Sequence, residues 1–290
     1  MSAALLSLRG YVELTKPRIL LLVIFSALPA MAMAAEGFPG PGTAAGVLLG
    51  IALAAGAANA LNCYIERDRD ALMERTRARP LPARRLDPGA ALAFGLALCG
   101  ISTALLYGVA GALPAGLGVA SVLYYVFVYT IWLKPRTPQN AVIGGAAGAA
   151  APLIADAALH GHVGAAGWLL FAIIFLWQPP HVWAIALFRK ADYQRAGIPM
   201  LPLAIGDQPT RWRMLWYTLG LVPVTLAPVP LGLLGWLYGI AALALDGWFL
   251  WHAVRVLRER SDAAARRMFH VSLAYLFALF AAMLVDRALL

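Results

Sequence analysis

The sequence predicts an all-α membrane protein of nine transmembrane helices with a cytoplasmic N-terminus. Three observations lead there. The first is composition: 62% of the 290 residues are hydrophobic and 13% are charged, about half the charged share of a soluble domain, which is ~25%. Mean hydropathy is +0.75. The second is run length. Apolar runs of about twenty residues recur, long enough to cross a bilayer. Backbone polar groups in lipid need internal partners, so such runs are helices. They are too continuously apolar for barrel strands, which alternate. The third is the placement of Lys and Arg.

In chain order the expected spans are 18–35, 43–65, 90–109, 113–133, 140–159, 166–187, 214–231, 233–251 and 268–286. The first, "LLLVIFSALPAMAMAA", ends in small residues at the spacing of a secretory cleavage site. A retained span is preferred, because its removal would break the alternation of charged and uncharged loops. The second leaves the membrane into a charged stretch. The fifth opens on "GGAAGAAAP" (Gly144 to Pro152), small residues that let helices approach closely. Pro179 and Pro180 should kink or break the sixth. Pro228, Pro230 and Gly232 divide the seventh from the eighth. No linker or low-complexity segment interrupts the chain, which reads as one membrane-embedded domain, 1–290. Cys63 and Cys99 lack metal-ligand spacing and read as packing residues.

Lysine and arginine stay on the cytoplasmic side. With the N-terminus inside, every Lys and Arg except Arg287 falls in the N-terminal segment or in the loops after spans two, four, six and eight. The net charge of +9 therefore belongs to one membrane face beside lipid headgroups and does not argue for nucleic acid.

The stretch "NCYIERDRDALMERTRARPL" (Asn62 to Leu81) is dense in charge. Asn62, Glu66 and Asp70 stand four residues apart, hence on one helix face at the cytoplasmic end of span two. Carboxylates near lipid tend to face a protein interior or a water-filled cavity. Two carboxylates and an amide are hard oxygen ligands suited to Mg2+, which completes its shell with water and phosphate oxygens. Arg75, Arg77 and Arg79 could pair with those phosphates. The bland alternative is a solvated loop, and Arg67–Asp68–Arg69 reads that way.

A second cluster, "WQPPHVWAIALFRKADYQRAGIPMLP" (Trp177 to Pro202), shifts the weight. A histidine inside an apolar span needs a partner, which points His181 toward a cavity. Asp192 and Tyr193 emerge among Arg189, Lys190 and Arg195. Asp192 reads either as an i±3 ion pair or as a metal ligand facing the first site across the bundle. Two acidic sites with a basic rim suit a diphosphate bridged by Mg2+, and an apolar cavity behind them would suit an isoprenoid tail.

With these residues in view, the chain resembles the UbiA superfamily of intramembrane prenyltransferases and, within it, the protohaem IX farnesyltransferases (haem O synthases). The resemblance runs from "LTKPRI" (Leu14 to Ile19) through the last span. It is carried by "NCYIERDRDALMERTRARPLP", "PQNAVIGGAAGAAAPLI" and "PPHVWAIALFRKADYQRAGIPMLP" in order. It implies nine helices around a central cavity closed by cytoplasmic loops, in the bacterial inner membrane with the active site facing the cytoplasm. Asn62, Glu66 and Asp70 match the first metal motif, with Met73, Arg75, Thr76, Arg79 and Pro80 its continuation. Glu66, where quinone-type relatives usually carry aspartate, points to the haem branch. His181, Trp183, Asp192 and Tyr193 match the second motif.

The implied catalytic set is Asn62, Glu66, Asp70, Asp192 and Tyr193, with Mg2+ on Glu66, Asp70 and Asp192. Arg75, Arg79, Lys134 and Arg136 would bind diphosphate, and His181 and Trp183 would contact haem. His181 could equally orient a water or hold a helix. One departure is visible: the family's L-K-R-x-T reads Leu133-Lys134-Pro135-Arg136-Thr137 here, with one arginine displaced by a residue. The implied substrates are haem b and farnesyl diphosphate, with membrane lipid and the downstream haem A synthesis enzyme as partners to test. Two other readings stand beside it: prenylation of a quinone precursor such as 4-hydroxybenzoate, and haem handling or transport without catalysis. Transport would call for midplane charges and inverted repeats, whereas the acids gather at one face.

Overall fold

The computed structural model describes residues 3–33 and 39–289, and these are helical with no strand. A short helix α1 (Ala3–Leu14) meets α2 (Pro17–Ala32) at a bend of 50°. The long helices that follow are α3 (Pro41–Asp70), α4 (Pro88–Ala110) and α5 (Ala112–Leu123). α5 continues as π-helix over Tyr124–Leu133. The expected fifth span is three pieces, α6 (Asn140–Ile143), α7 (Gly145–Gly148) and α8 (Ala150–His160). Then come α9 (Ala165–Phe188), the short α10 (Lys190–Arg195) and α11 (Leu201–Ile205), α12 (Asp207–Leu226), α13 (Trp236–Glu259) and α14 (Asp262–Leu289).

Seven of these helical runs are long and apolar enough to cross a membrane, or eight with the bent α1–α2 pair. α12 carries the expected seventh span but does not qualify, because its first turns hold Asp207, Arg211 and Arg213. It ends at Leu226, and the turn through Pro228, Pro230 and Gly232 separates it from α13 as expected. The last residues of the expected first span, from Ala34 on, lie outside the described residues. Of the kink or break expected in the sixth span, the break does not occur: α9 runs unbroken through Pro179 and Pro180. Neighbouring helices re-satisfy backbone freed by proline in such bundles, and α9 packs on α8, α12 and α14.

The helices close a circuit: α2, α3, α4, α5, α8, α9, α12, α13, α14 and back to α2. α2 is an integral stave, with Ala27, Ala30 and Met31 in the main core. Arg287 of α14 donates to the Ala32 carbonyl at the end of α2 (3.0 Å), satisfying a helix-terminal acceptor and tying first stave to last. Small residues set close approaches. A Cβ on Gly148 would lie 2.9 Å from Gln178 Nε2, which is why Gln178 can donate to the Gly145 carbonyl at 2.8 Å. At the end of the bundle away from the basic loops, Asp286 accepts from the Gly235 and Tyr238 amides (2.5 and 2.9 Å). It thereby caps α13 from another helix.

Candidate active site

The basic end of the bundle holds the site. Asn62, Glu66 and Asp70 follow one face of α3 and are 2%, 4% and 1% exposed, so the four-residue spacing does turn them inward. Three other elements meet that face. Lys16 Nζ donates to Asn62 Oδ1 at 2.9 Å. Asn62 Nδ2 donates to Thr130 Oγ1 at 3.1 Å, and Thr130 donates in turn to the Tyr125 carbonyl. Lys134 Nζ lies 2.6 Å from Glu66 Oε2 and 2.5 Å from Oε1. Arg79 Nη1 lies 2.7 Å from Asp70 Oδ2.

Each partner has a local cause. Lys16 sits in a left-handed conformation (φ 55°, ψ 66°) at the α1–α2 bend. This is a costly backbone state for a non-glycine residue. It is held by α3, where Asn59 Nδ2 donates to the Thr15 carbonyl (3.0 Å) and Cys63 packs on Leu14. Thr130 and Lys134 come from the π-helical stretch. Its wider i→i+5 bonding, as in Lys134 N to the Tyr129 carbonyl, rotates both toward α3. Such turns concentrate at functional sites. Beyond Asp70, Thr76 Oγ1 donates to the Asp70 carbonyl (2.8 Å) and Met73 is buried.

The second motif reaches the same loop. The Glu74 amide donates to Asp192 Oδ1 at 3.3 Å, and Met73 packs with Tyr193, Ile198 and Met200. Asp192, 5% exposed, pairs with Arg195, so the i+3 ion pair is real. Its Oδ2 is nevertheless buried without a hydrogen-bond partner. Burial raises the Asp192 carboxyl's pKa, but the Arg195 hydrogen bond and the Glu74 amide outweigh it and hold the group below its usual range.

Among the described residues, no three His, Cys, Asp or Glu side chains converge on one point as metal ligands. The two acidic sites expected to face each other, Glu66 with Asp70 and Asp192, are joined through the Glu74 contact, and each carboxylate already faces a cation. Magnesium takes one or two carboxylates and fills its shell with water and phosphate oxygens. The hard-oxygen donors and the orphan Asp192 Oδ2 fit that requirement.

Other expected residues sit differently. Arg75 is exposed in the loop after α3. Arg136 donates to the Ile131 and Trp132 carbonyls (2.8 and 3.2 Å), where it caps the π-helix. His181 is stacked between Trp177 and Phe269, with Nδ1 2.7 Å from Ser272 Oγ. Of its three open roles, these contacts match holding a helix: the partner is α14. Trp183 is fully buried, edge-on to Tyr217. Sequence reasoning missed Lys16 and Thr130 as site residues. Lys16 had a signal, a basic residue before proline in "LTKPRI"; Thr130 had none.

One helical turn below Asn62 lies an apolar cavity of ≈ 110 Å³. Ile19, Val23, Ile51, Ala54 and Ala58 line it, with Asn59 and Tyr125 at the end nearer the acids.

The UbiA prenyltransferase family matches residues 23–282. The chain belongs to the UbiA prenyltransferase family. Among curated relatives, the protoheme IX farnesyltransferase of Acidiphilium cryptum is 48% identical over 285 residues, covering 95% of this chain and 90% of its own. That of Aromatoleum aromaticum is 49% identical over 288 residues, covering 99% and 95%. A solved structure described as digeranylgeranylglyceryl phosphate synthase superposes with a TM-score of 0.80 at 16% identity, covering 98% of this chain and 99% of its own. A UbiA homolog from Archaeoglobus fulgidus bound to GPP and Mg2+ gives 0.65 at 14%, covering 94% and 99%. At such identities these two establish the fold alone.

Proposed function

We propose that the chain is a protohaem IX farnesyltransferase, which converts haem b, farnesyl diphosphate and water to haem O and diphosphate. We further propose that it works as one domain of nine membrane-crossing helices in a bacterial inner membrane, with the N-terminus and active site cytoplasmic. The observation that carries the reading is a buried acid–base cluster set directly over an apolar cavity. Near-50% identity to protoheme IX farnesyltransferases along almost the whole chain supports it.

The chemistry divides along the cavity axis. Mg2+ held by Glu66 and Asp70 on one side and by Asp192 on the other would neutralise the departing diphosphate. Lys134, Arg79 and Lys16 then spread the charge left on its oxygens, as cations already fixed by their hydrogen bonds. Asn62, held between Lys16 and Thr130, keeps those cations in register. The cavity below receives the prenyl chain. Its walls exclude water from the allylic cation until the haem vinyl carbon attacks. Tyr125 is the aromatic side chain lining that cavity, and its ring can stabilise positive charge by cation–π attraction. The benzylic-type cation formed beside the porphyrin is then quenched by water.

The test is turnover by purified protein in detergent with haem b, farnesyl diphosphate and Mg2+, read by mass spectrometry. A product heavier by a farnesyl and a hydroxyl group, the second hydrogen of water leaving as a proton, is expected and should be lost on adding EDTA. Asp70→Asn should abolish it while the protein remains folded. Prenylation of 4-hydroxybenzoate in place of haem would refute the assignment.

A further inference from the structure

The end of the bundle away from the basic loops carries a second group of titratable side chains, which the chemistry above does not use. α8 stops at His160, Gly161 takes a left-handed turn (φ 70°), and α9 starts after Gly164. Asp156, His160 and His162 meet across this turn. Asp156 is 1% exposed. Its Oδ2 accepts from the Gly164 amide at 2.6 Å, and its Oδ1 lies 2.9 Å from His160 Nδ1. Gly167 makes the room for it: a Cβ there would lie 2.7 Å from Asp156 Oδ2. His162 Nδ1 lies 3.0 Å from the His160 carbonyl oxygen.

These contacts set the tautomers. A carboxylate and a carbonyl only accept, so each Nδ1 carries a proton and donates it. The lone pair of each neutral ring is then on Nε2, and neither Nε2 has a hydrogen-bond partner among the described residues. A ring held through Nδ1–H by a carboxylate or backbone carbonyl, with Nε2 free, is the state of a metal-ligating histidine. His160 is partly exposed and His162 exposed, so ions reach both. Their ring centroids are 5.8 Å apart, with the planes inclined at 46°. An ion ~2.0–2.1 Å from each Nε2 would stand about 3.2 Å from each ring centre, so two rings sharing it lie about 5–6.5 Å apart. The pair falls within that interval. The C-terminus of α8, the negative end of its dipole, adds to the Asp156 carboxylate in favouring positive charge here.

We propose that His160 and His162 form a two-imidazole site for a divalent transition-metal ion such as Cu2+ or Zn2+. Asp156 is not a ligand, since both its oxygens are engaged; it orients the His160 ring, and water completes the shell. Imidazole suits this class of ion, whereas Mg2+ prefers carboxylate, carbonyl and water. The site is separate from the acidic cluster. It stands at one end of α9 and Asp192 beyond the other, and the 24 residues of that helix span roughly 36 Å at ~1.5 Å per residue.

The test titrates tag-free protein in detergent with Cu2+, the divalent ion that nitrogen ligands hold most tightly. Mg2+ in excess occupies the oxygen-ligand site. Electron paramagnetic resonance reads the coupling of Cu2+ to imidazole nitrogen. Wild type should bind one Cu2+ with a two-nitrogen pattern, and lowering the pH below ~6.5 should release it, because histidine binds metal only as the neutral ring. His160→Gln and His162→Gln should each lose the two-nitrogen pattern while unfolding as wild type does. Asp156→Asn should keep the pattern with affinity weakened about 10–100-fold, the usual effect of removing an outer-shell acceptor. If Asp156→Asn fails to fold, the two histidine variants decide. Oxygen-only coordination in wild type, or an unchanged two-nitrogen pattern in folded His162→Gln, overturns the site. Wild-type affinity in folded Asp156→Asn overturns the orienting role of Asp156.

Discussion

Replacing Lys134 by methionine isolates the pair at the centre of the site. The Lys134 and Glu66 side chains are 15% and 4% exposed, with Nζ 2.5–2.6 Å from the carboxylate oxygens. Exposed ion pairs contribute about 0–1 kcal/mol. Removing one partner of a buried pair costs about 3–5 kcal/mol, because the other charge is left uncompensated. The 4% exposure of Glu66 selects the second regime. Burial alone would pull the Lys134 ammonium below its usual pKa, but the adjacent Glu66 carboxylate more than reverses this and holds it above.

Lys134→Met should therefore destabilise by about 3–5 kcal/mol, read by reversible unfolding in mixed detergent. Lys134→Met with Glu66→Gln should recover much of that loss, since a buried pair replaced as a unit is nearly neutral. The coupling energy comes from the double-mutant cycle. Haem farnesylation should stay lost in the double variant, because the stabilised protein still lacks a cation for diphosphate and a ligand for metal. A single variant within about 0.5 kcal/mol of wild type, the size of an ordinary surface substitution, would refute the buried-pair reasoning. An active double variant would refute the assignment of both residues to the site.

Two further outcomes follow from contacts away from the chemistry. Asp286→Ala removes both acceptors from the first turn of α13 and should cost about 0.5–2 kcal/mol, as for lost helix caps, with turnover per folded molecule unchanged. Glu13 bonds Arg85 at 2.8 Å and Arg9 at 3.2 Å, and the Arg85 hydrogen bond holds its carboxyl below the usual range. A depressed folded-state pKa means the stabilisation is present above the unfolded value of ~4.3 and is lost as pH falls below it. Hydrogen exchange in α1 should accelerate in that acid window, and Glu13→Gln should show the faster exchange already at neutral pH.

How much of this was legible in the sequence depended on how local each cause was. Asn62, Glu66 and Asp70 were legible because four-residue spacing on a helix fixes a shared face whatever the neighbours do. The charged cluster's position followed from the lysine and arginine distribution. Lys16 reads in sequence as a topology marker and as the basic residue before proline in "LTKPRI", but its partner does not, because the contact depends on a left-handed backbone turn and an acceptor 46 residues away. Thr130 gives no signal, since the π-helical register that aims it at Asn62 arises from packing against α3. Asp156 and Asp246 stand alone in apolar sequence and Asp286 stands beside Arg287, yet each is buried and bonded. Asp156 takes the Gly164 amide, and Asp246 takes the Tyr275 and Thr225 hydroxyls. The break allowed for at Pro179 and Pro180 does not occur, because the rule that proline ends a helix is local while the packing around α9 is not.

The same distinction applies to what surrounds the acids. Sequence spacing can bring two carboxylates to one face, but it cannot say what neutralises them. A buried carboxylate without a counter-charge is costly, and here Lys134, Arg79 and Arg195 supply that charge to Glu66, Asp70 and Asp192. Those cations are also the groups that diphosphate would attract. Glu66, Asp70 and Asp192 would hold the metal of a metal–diphosphate complex, and Lys134, Arg79 and Arg195, released from them, would pair with phosphate oxygens. Each buried charge would then keep an opposite partner before and after, and the site would avoid the desolvation cost that an unpaired acidic cluster carries.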